Sequence, residues 1–278
     1  MEWARFRRRH RSPATAVPTF IVIGANKGGT TSLWQYLDQH PDVFMSRNKE
    51  PMYFSNAPVP EGRPDEAFRS DVVKTWAEYM KLFEPGRGSL AIGEASTGYL
   101  CNPSVPDRIH AQLPDVRLLA MLRNPFDRAF SAFQMYRRLG METMTFSQAI
   151  ESELDRFDGR SSTSSDWQIY LHLGFYGRAL NRYLERFRRD QLRIHLYEDF
   201  ESAPMELMSD LYGFIGVDPT FRPNIETRHN AAPTREVPEW DPGLRDRVLD
   251  HLEPDIEIVE KLVGRDLASW RRPTSLEV

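Results

Sequence analysis

The sequence predicts an α/β domain of three layers, with a central, mainly parallel sheet flanked by helices. Short, mostly apolar runs occupy residues 20–23, 90–93, 116–122 and 192–197, each of strand length. Between them lie segments with apolar residues at helical spacing, and strands alternating with helices build βαβ units and so a parallel sheet. A glycine-rich turn at residues 24–29 joins the first strand to the first helix. Such a turn marks the carboxyl edge of the sheet as the place where a ligand binds.

Composition sets the frame. With 278 residues, 40% hydrophobic, 12% aromatic and 27% charged, the chain has the balance of a folded domain and not of a disordered one. Its apolar runs fall far short of the ~18 residues a membrane span needs, and its arginine-rich start lacks the apolar stretch of a secretory signal. A formal charge of −4 argues against binding to nucleic acid. The one cysteine, Cys101, can form neither an internal disulfide nor a multi-cysteine metal site, which fits a reducing, cytoplasmic setting. Lysine stands at five positions, Lys27, Lys49, Lys74, Lys81 and Lys261, so 31 of the 36 basic residues are arginine, the bias of a GC-rich, bacterial genome.

The elements follow in order. Residues 1–18, with Arg5, Arg7, Arg8, Arg9 and Arg11 ahead of two prolines, read as a flexible basic arm, and residues 19–278 as a single domain. The β-branched run at 20–23 is a buried strand, and after the turn a helix over 30–39 is marked by Leu33, Trp34 and Leu37 on one face and ended by Pro41. A second strand leads into Glu94. A third runs into Arg123 and a helix with Pro125 in its first turn. Helices are expected at 176–189, 205–215 and 244–267, the last one or two closing the domain. Residues 56–70 and 157–167, rich in proline or in serine and threonine, read as surface loops, and 218–240 as an irregular segment carrying Arg228, His229, Asn230 and Arg235.

The first turn has the makings of an anion cradle. Glycines at a helix start let several backbone N–H groups converge on one point, where the helix dipole adds positive charge. Lys27 adds an ammonium, and Thr30 and Thr31 add hydroxyls. The nucleoside-triphosphate loop, GxxxxGK[ST], sets its lysine after the last glycine with a hydroxyl next to it for Mg²⁺. Here the lysine precedes the glycines, which makes the turn P-loop-like but argues against an ordinary kinase.

Lys27-Gly28-Gly29-Thr30-Thr31 after a strand resembles the 5′-phosphosulfate loop of the sulfotransferases that use 3′-phosphoadenosine 5′-phosphosulfate. A second stretch strengthens the resemblance. Arg123-Asn124-Pro125-Phe126-Asp127-Arg128-Ala129-Phe130-Ser131 is similar to the family's 3′-phosphate motif, R-[ND]-P-x-x-R-x-x-S, about 95 residues after the loop. Read from chemistry alone, Arg123 ends a strand and Ser131 lies two helical turns on, so a fork of N–H donors and a hydroxyl can converge on a phosphate.

The resemblance, which covers roughly residues 20–235, implies a P-loop-like fold, that nucleotide as donor and adenosine 3′,5′-bisphosphate as product, with no metal required. It implies that Lys27, Gly28, Gly29, Thr30, Thr31 and Ser32 hold the 5′ end. By the same resemblance Arg123 and Ser131 hold the 3′-phosphate, while Arg128 braces the helix. Tyr176, in a stretch similar to one where a tyrosine approaches the nucleotide, is either a core aromatic or a nucleotide contact, and Arg235 is the closing basic residue. Ser32 stands where some members carry a tryptophan that stacks on adenine, so the adenine partner stays open.

Sulfuryl transfer needs an in-line acceptor, a base for its proton and positive charge on the leaving oxygen. Lys27 supplies the charge. The base is expected to be Glu50, in Lys49-Glu50-Pro51-Met52-Tyr53-Phe54, where Pro51 favours an extended chain before it and where the phrase resembles E-x-x-[FY]-F of the heparan-type sulfotransferases. Glu94 and His229 compete; those enzymes follow the acid equivalent to Glu94 with a lysine, where this chain has Ala95. Two other readings stay open. A P-loop kinase would hold Mg²⁺ through Glu94 or Asp199, and a non-catalytic protein would bind the bisphosphate nucleotide and transfer nothing. The partners expected are the nucleotide donor and an acceptor that the sequence leaves unidentified among small molecules, lipids and carbohydrates.

Overall fold

Five strands form one parallel sheet in a computed structural model that describes residues 16–55, 72–157, 169–226 and 240–274. The strands are β1 (Phe20–Gly24), β2 (Val43–Met45), β3 (Ala91–Ala95), β4 (Arg117–Leu122) and β5 (Leu192–Leu196), in the order β2-β3-β1-β4-β5. Phe20 pairs with Gly93 of β3 on one side and with Arg117 of β4 on the other. Because all strands run the same way, the carboxyl ends of β1, β3, β4 and β5 open on one edge.

Helices cover both faces. Phe20 and Val22 of β1 share a buried cluster with Leu33 and Leu37 of α1 (Thr30–Asp38), while the alternate residues Ile21 and Ile23 belong to the larger cluster of the other face. That alternation follows from the two-residue period of a strand. Three short helices, α2 (Trp76–Lys81), α3 (Val105–Gln112) and α5 (Phe146–Phe157), flank α4 (Pro125–Arg138) in sequence. Then come α6 (Tyr176–Leu184), α7 (Tyr197–Ser202), α8 (Pro204–Ile215) and α9 (Pro242–Val263). Asn124 starts α4 by accepting the Phe126 N–H at 2.9 Å, the role of an N-cap.

The sequence pattern falls short of the structure at several points. β2 is only three residues, bounded by Asp42 and Ser46, and offers no run to recognise; it is specified by pairing with β3. Helix α6 stops at Leu184 instead of running to 189, and α9 stops at Val263 because Gly264 takes φ 67°, the left-handed conformation that ends helices. The end of the basic arm that is described, residues 16–18, packs on the domain, with Ala16 in the larger core cluster. Residues 1–15, and nearly all of the expected loops 56–70 and 157–167, lie outside the described residues, as do Arg228, His229, Asn230 and Arg235.

Candidate active site at the carboxyl edge of the sheet

The turn after β1 is locked against its neighbours. Ala25 N–H donates to the Met121 carbonyl of β4 at 2.7 Å, and Gly28 N–H to the Ala25 carbonyl at 3.0 Å. A Cβ on Gly28 would lie 2.4 Å from the Met121 carbonyl oxygen. Gly29 has φ 84°, and a Cβ there would strike the Tyr197 ring at 2.8 Å. Both glycines are therefore required by close approach. Gly29 is the N-cap of α1 and no side chain caps that helix, an arrangement that favours an anion at its start. Thr30 and Ser32 are buried in the first turn and Thr31 is half-buried.

Lys27 stands on this turn in the left-handed region, φ 64°, with Nζ 3.7 Å from Sδ of Met135 on α4. Its ammonium is pushed down to about 8, first by burial and then by the positive charges of Arg138, Arg123, Arg128 and Lys49. Four other cations thus act on the Lys27 ammonium. Arg128 is fully buried, and its three guanidinium nitrogens make no hydrogen bond among the described residues. No hydrogen bond among the described residues shows it bracing the helix, and its positive charge acts on Lys27.

Arg123 joins this cluster from the end of β4. Its Nη1 donates to the Lys27 carbonyl at 3.4 Å, and its guanidinium lies 4.7 Å from the centre of the Tyr197 ring, a cation–π contact. Ser131 lies one helical turn before Met135 on α4 and so shares its face of the helix. Tyr176 is buried, and its hydroxyl donates to the Arg123 carbonyl at 3.0 Å. It therefore sits behind Arg123 and fixes the backbone that carries the guanidinium.

Glu50 reaches the same edge from the other side. Its N–H donates to the Ala95 carbonyl at 2.9 Å, and its carboxylate accepts Thr97 N–H at 2.7 Å, Thr97 Oγ1 at 3.0 Å and Lys49 Nζ at 2.9 Å. The chain here is not extended as Pro51 would favour: Glu50 has φ 67° and Met52 φ 55°. The hydrogen bonds to the end of β3 overrule the local preference and hold a backbone that non-glycine residues rarely adopt.

Glu94 does not compete for this place. It is fully buried, accepting hydrogen bonds from Tyr79 Oη at 3.1 Å and Ser96 Oγ at 2.8 Å. Burial pushes its carboxyl up to about 8, so it stays protonated at neutral pH. In the unfolded chain it ionises in the ordinary carboxylate range, so stability falls as pH rises from that range toward 8. Glu94→Gln is expected to flatten the pH dependence of unfolding free energy between about pH 5 and 8; urea titrations across that range check it, and an unchanged slope contradicts it.

Sequence reasoning missed Thr97, Tyr197, Met135 and Arg138. Tyr197 and Thr97 follow the ends of strands, which is the one signal that could have marked them. His40 and His195 have structural partners: His40 Nδ1 accepts the Asp42 N–H at 3.0 Å, and His195 Nε2 lies 2.9 Å from Asp210.

Comparison with known proteins shows the family. A family model described as "Sulfotransferase family" matches residues 18–222. The crystal structure of a sulfotransferase from Alicyclobacillus acidocaldarius is similar, with a TM-score of 0.80 and 36% identity over 93% of this chain and 100% of that one. Human bifunctional heparan sulfate N-deacetylase/N-sulfotransferase 2 is 28% identical over 212 residues, which is 73% of this chain and 22% of that protein. The membrane-associated sulfotransferase kil1 of Dictyostelium discoideum is 30% identical over 117 residues, 42% of this chain and 22% of that protein. The chain thus spans about a fifth of the length of the curated relatives it matches. No helix among the described residues is long and apolar enough to cross a membrane. With the Lys27 turn and the Arg123 corner both inside the matched region and in contact with each other, the chain belongs to the sulfotransferase family.

Proposed function

We propose that the protein transfers the sulfuryl group of 3′-phosphoadenosine 5′-phosphosulfate to a hydroxyl or amine of a small-molecule, lipid or carbohydrate acceptor. The observation that carries this reading is the contact of Arg123 with the Lys27 carbonyl at 3.4 Å, which sets the two proposed anion pockets side by side. The turn with Lys27, Gly28, Gly29, Thr30, Thr31 and Ser32 takes the 5′-phosphosulfate; Arg123 and Ser131 take the 3′-phosphate. Tyr176 acts through the Arg123 carbonyl, and Arg235 is the candidate for closing the site.

In the reaction, the acceptor oxygen or nitrogen forms a bond to sulfur as the bond from sulfur to the bridging phosphate oxygen breaks. The electron pair leaves with adenosine 3′,5′-bisphosphate. The Lys27 ammonium meets the charge growing on that oxygen, and the acceptor proton passes to the Glu50 carboxylate, which Thr97 and Lys49 hold in place. Positive charge already gathered round Lys27 serves this chemistry without a metal.

Two observations favour this over a kinase. Glu94 is buried against Tyr79 and Ser96, and Asp199 is engaged by Arg265 at 2.7 and 2.8 Å, so neither carboxylate is presented for Mg²⁺. A cytoplasmic setting is part of the reading, supported by a sequence whose one cysteine, Cys101, leaves no internal disulfide to form.

The test is incubation with the donor, a panel of acceptors and EDTA, with sulfated product and bisphosphate read by mass spectrometry. Sulfated product in EDTA is expected; phosphorylated product that requires ATP and vanishes in EDTA overturns the reading. Glu50→Gln is expected to lower kcat by about 10²- to 10⁴-fold with bisphosphate affinity intact. Full activity of that variant removes Glu50 as the base.

A further inference from the structure

We infer that the C-terminal segment after α9 is a positioning strap for the nucleotide site, acting through Asn124 and Glu198 on Arg123. The inference rests on the reading that Arg123 binds the donor. The segment lies beyond the family match, which ends at residue 222. It nevertheless packs on the corner that carries Arg123.

The contacts form a closed set. Asn124, next to Arg123, donates from Nδ2 to the Ser269 carbonyl at 3.1 Å and to the Arg272 carbonyl at 2.8 Å. Its N–H donates to Glu198 Oε1 at 3.1 Å, and that same oxygen accepts Trp270 Nε1 at 3.0 Å. Thr274 N–H donates to Asp127 on the first turn of α4 at 3.0 Å. The Trp270 ring is buried and meets the Tyr176 ring edge-on at 5.9 Å, and Tyr176 in turn holds the Arg123 carbonyl. Glu198 adjoins Tyr197, whose ring carries the Arg123 guanidinium. Asn124, which follows Arg123, and Glu198, which follows Tyr197, are therefore both fastened to the strap.

The strap is itself anchored. Arg271 binds Glu253 at 2.7 Å and Glu260 at 2.8 Å, both on α9. An arginine held this way enters binding already oriented, which lowers the ordering cost of gripping a phosphate. The strap touches neither Lys27 nor Glu50 in any contact described above, so its loss should weaken donor binding and spare the chemical step.

The experiment is a double-mutant cycle on the full chain, with adenosine 3′,5′-bisphosphate as the titrant in calorimetry. Trp270→Phe removes the indole N–H and keeps an aromatic ring. It is expected to raise Kd about 3- to 10-fold, the effect of one hydrogen bond to a charged group partly transmitted, with kcat at saturating donor unchanged. In the Arg123→Ala background the same change is expected to have no further effect on Kd. An unchanged Kd in the single variant, or an equal loss in both backgrounds, overturns the inference. Should Trp270→Phe fail to fold, Asn124→Ser repeats the cycle, since serine is a good cap acceptor for the Phe126 N–H, adds no charge and is too short to reach both strap carbonyls. Failure of the wild type to bind the bisphosphate overturns instead the reading on which the inference rests.

Discussion

Lys27→Met is expected to lower kcat by about 10²- to 10³-fold, the effect of losing one preorganised charge on a leaving oxygen, without destabilising the nucleotide-free protein. The two halves have one cause. Folding sets this ammonium, half-buried, among Arg138, Arg123, Arg128 and Lys49, and its affinity for a proton falls to about 8. Between that value and the ordinary lysine range the unfolded chain holds a proton that the folded one has released, so stability rises with pH across that window. Below it the charged lysine costs the fold stability, and a methionine of similar length removes that cost. Steady-state kinetics and thermal melts of the free protein check both halves. A melting temperature lowered by several degrees would mean that Lys27 is a structural residue. The same placement predicts that bisphosphate affinity falls as pH rises through about 8, because the free enzyme then offers a neutral amine.

Arg123→Ala is expected to raise Kd for adenosine 3′,5′-bisphosphate by about 10- to 100-fold, as befits loss of charge-assisted hydrogen bonds to a phosphate. Turnover at saturating donor should change little, since the role proposed for Arg123 is on the 3′-phosphate and not on the bond that breaks. Arg123→Lys is expected to recover only part of the affinity: it keeps the charge and loses the planar fork that rests on Tyr197. Calorimetry with the three proteins reads this directly. Equal affinity of wild type and Arg123→Ala would take Arg123 out of the site.

The two stretches proposed as anion pockets stand out in the sequence because each is contiguous. Lys27, Gly28 and Gly29 adjoin one another between a strand and a helix, and Arg123 and Ser131 fall within nine residues across a strand end and two helical turns. Local spacing carries the chemistry there. What surrounds them was not legible, because the partners are brought together only by the sheet. Thr97 holds Glu50 from 47 positions away, Met135 meets Lys27 from 108, and Arg272 meets Asn124 from 148. The backbone at Glu50 shows the same limit, with tertiary hydrogen bonds overriding the preference set by Pro51. β2 escaped for the opposite reason, being three residues long and dependent on β3 for its existence.

One crevice is proposed to grip both ends of a single adenosine nucleotide. The most direct measurement compares calorimetric affinities for the 3′,5′-bisphosphate, the 5′-monophosphate and the 3′-monophosphate, in wild type and Arg123→Ala. Wild type is expected to bind the bisphosphate at least about tenfold more tightly than either monophosphate. Arg123→Ala is expected to weaken the bisphosphate and 3′-monophosphate while leaving the 5′-monophosphate unchanged. Equal affinity for all three ligands, or a uniform loss across them in the variant, would contradict that proposal.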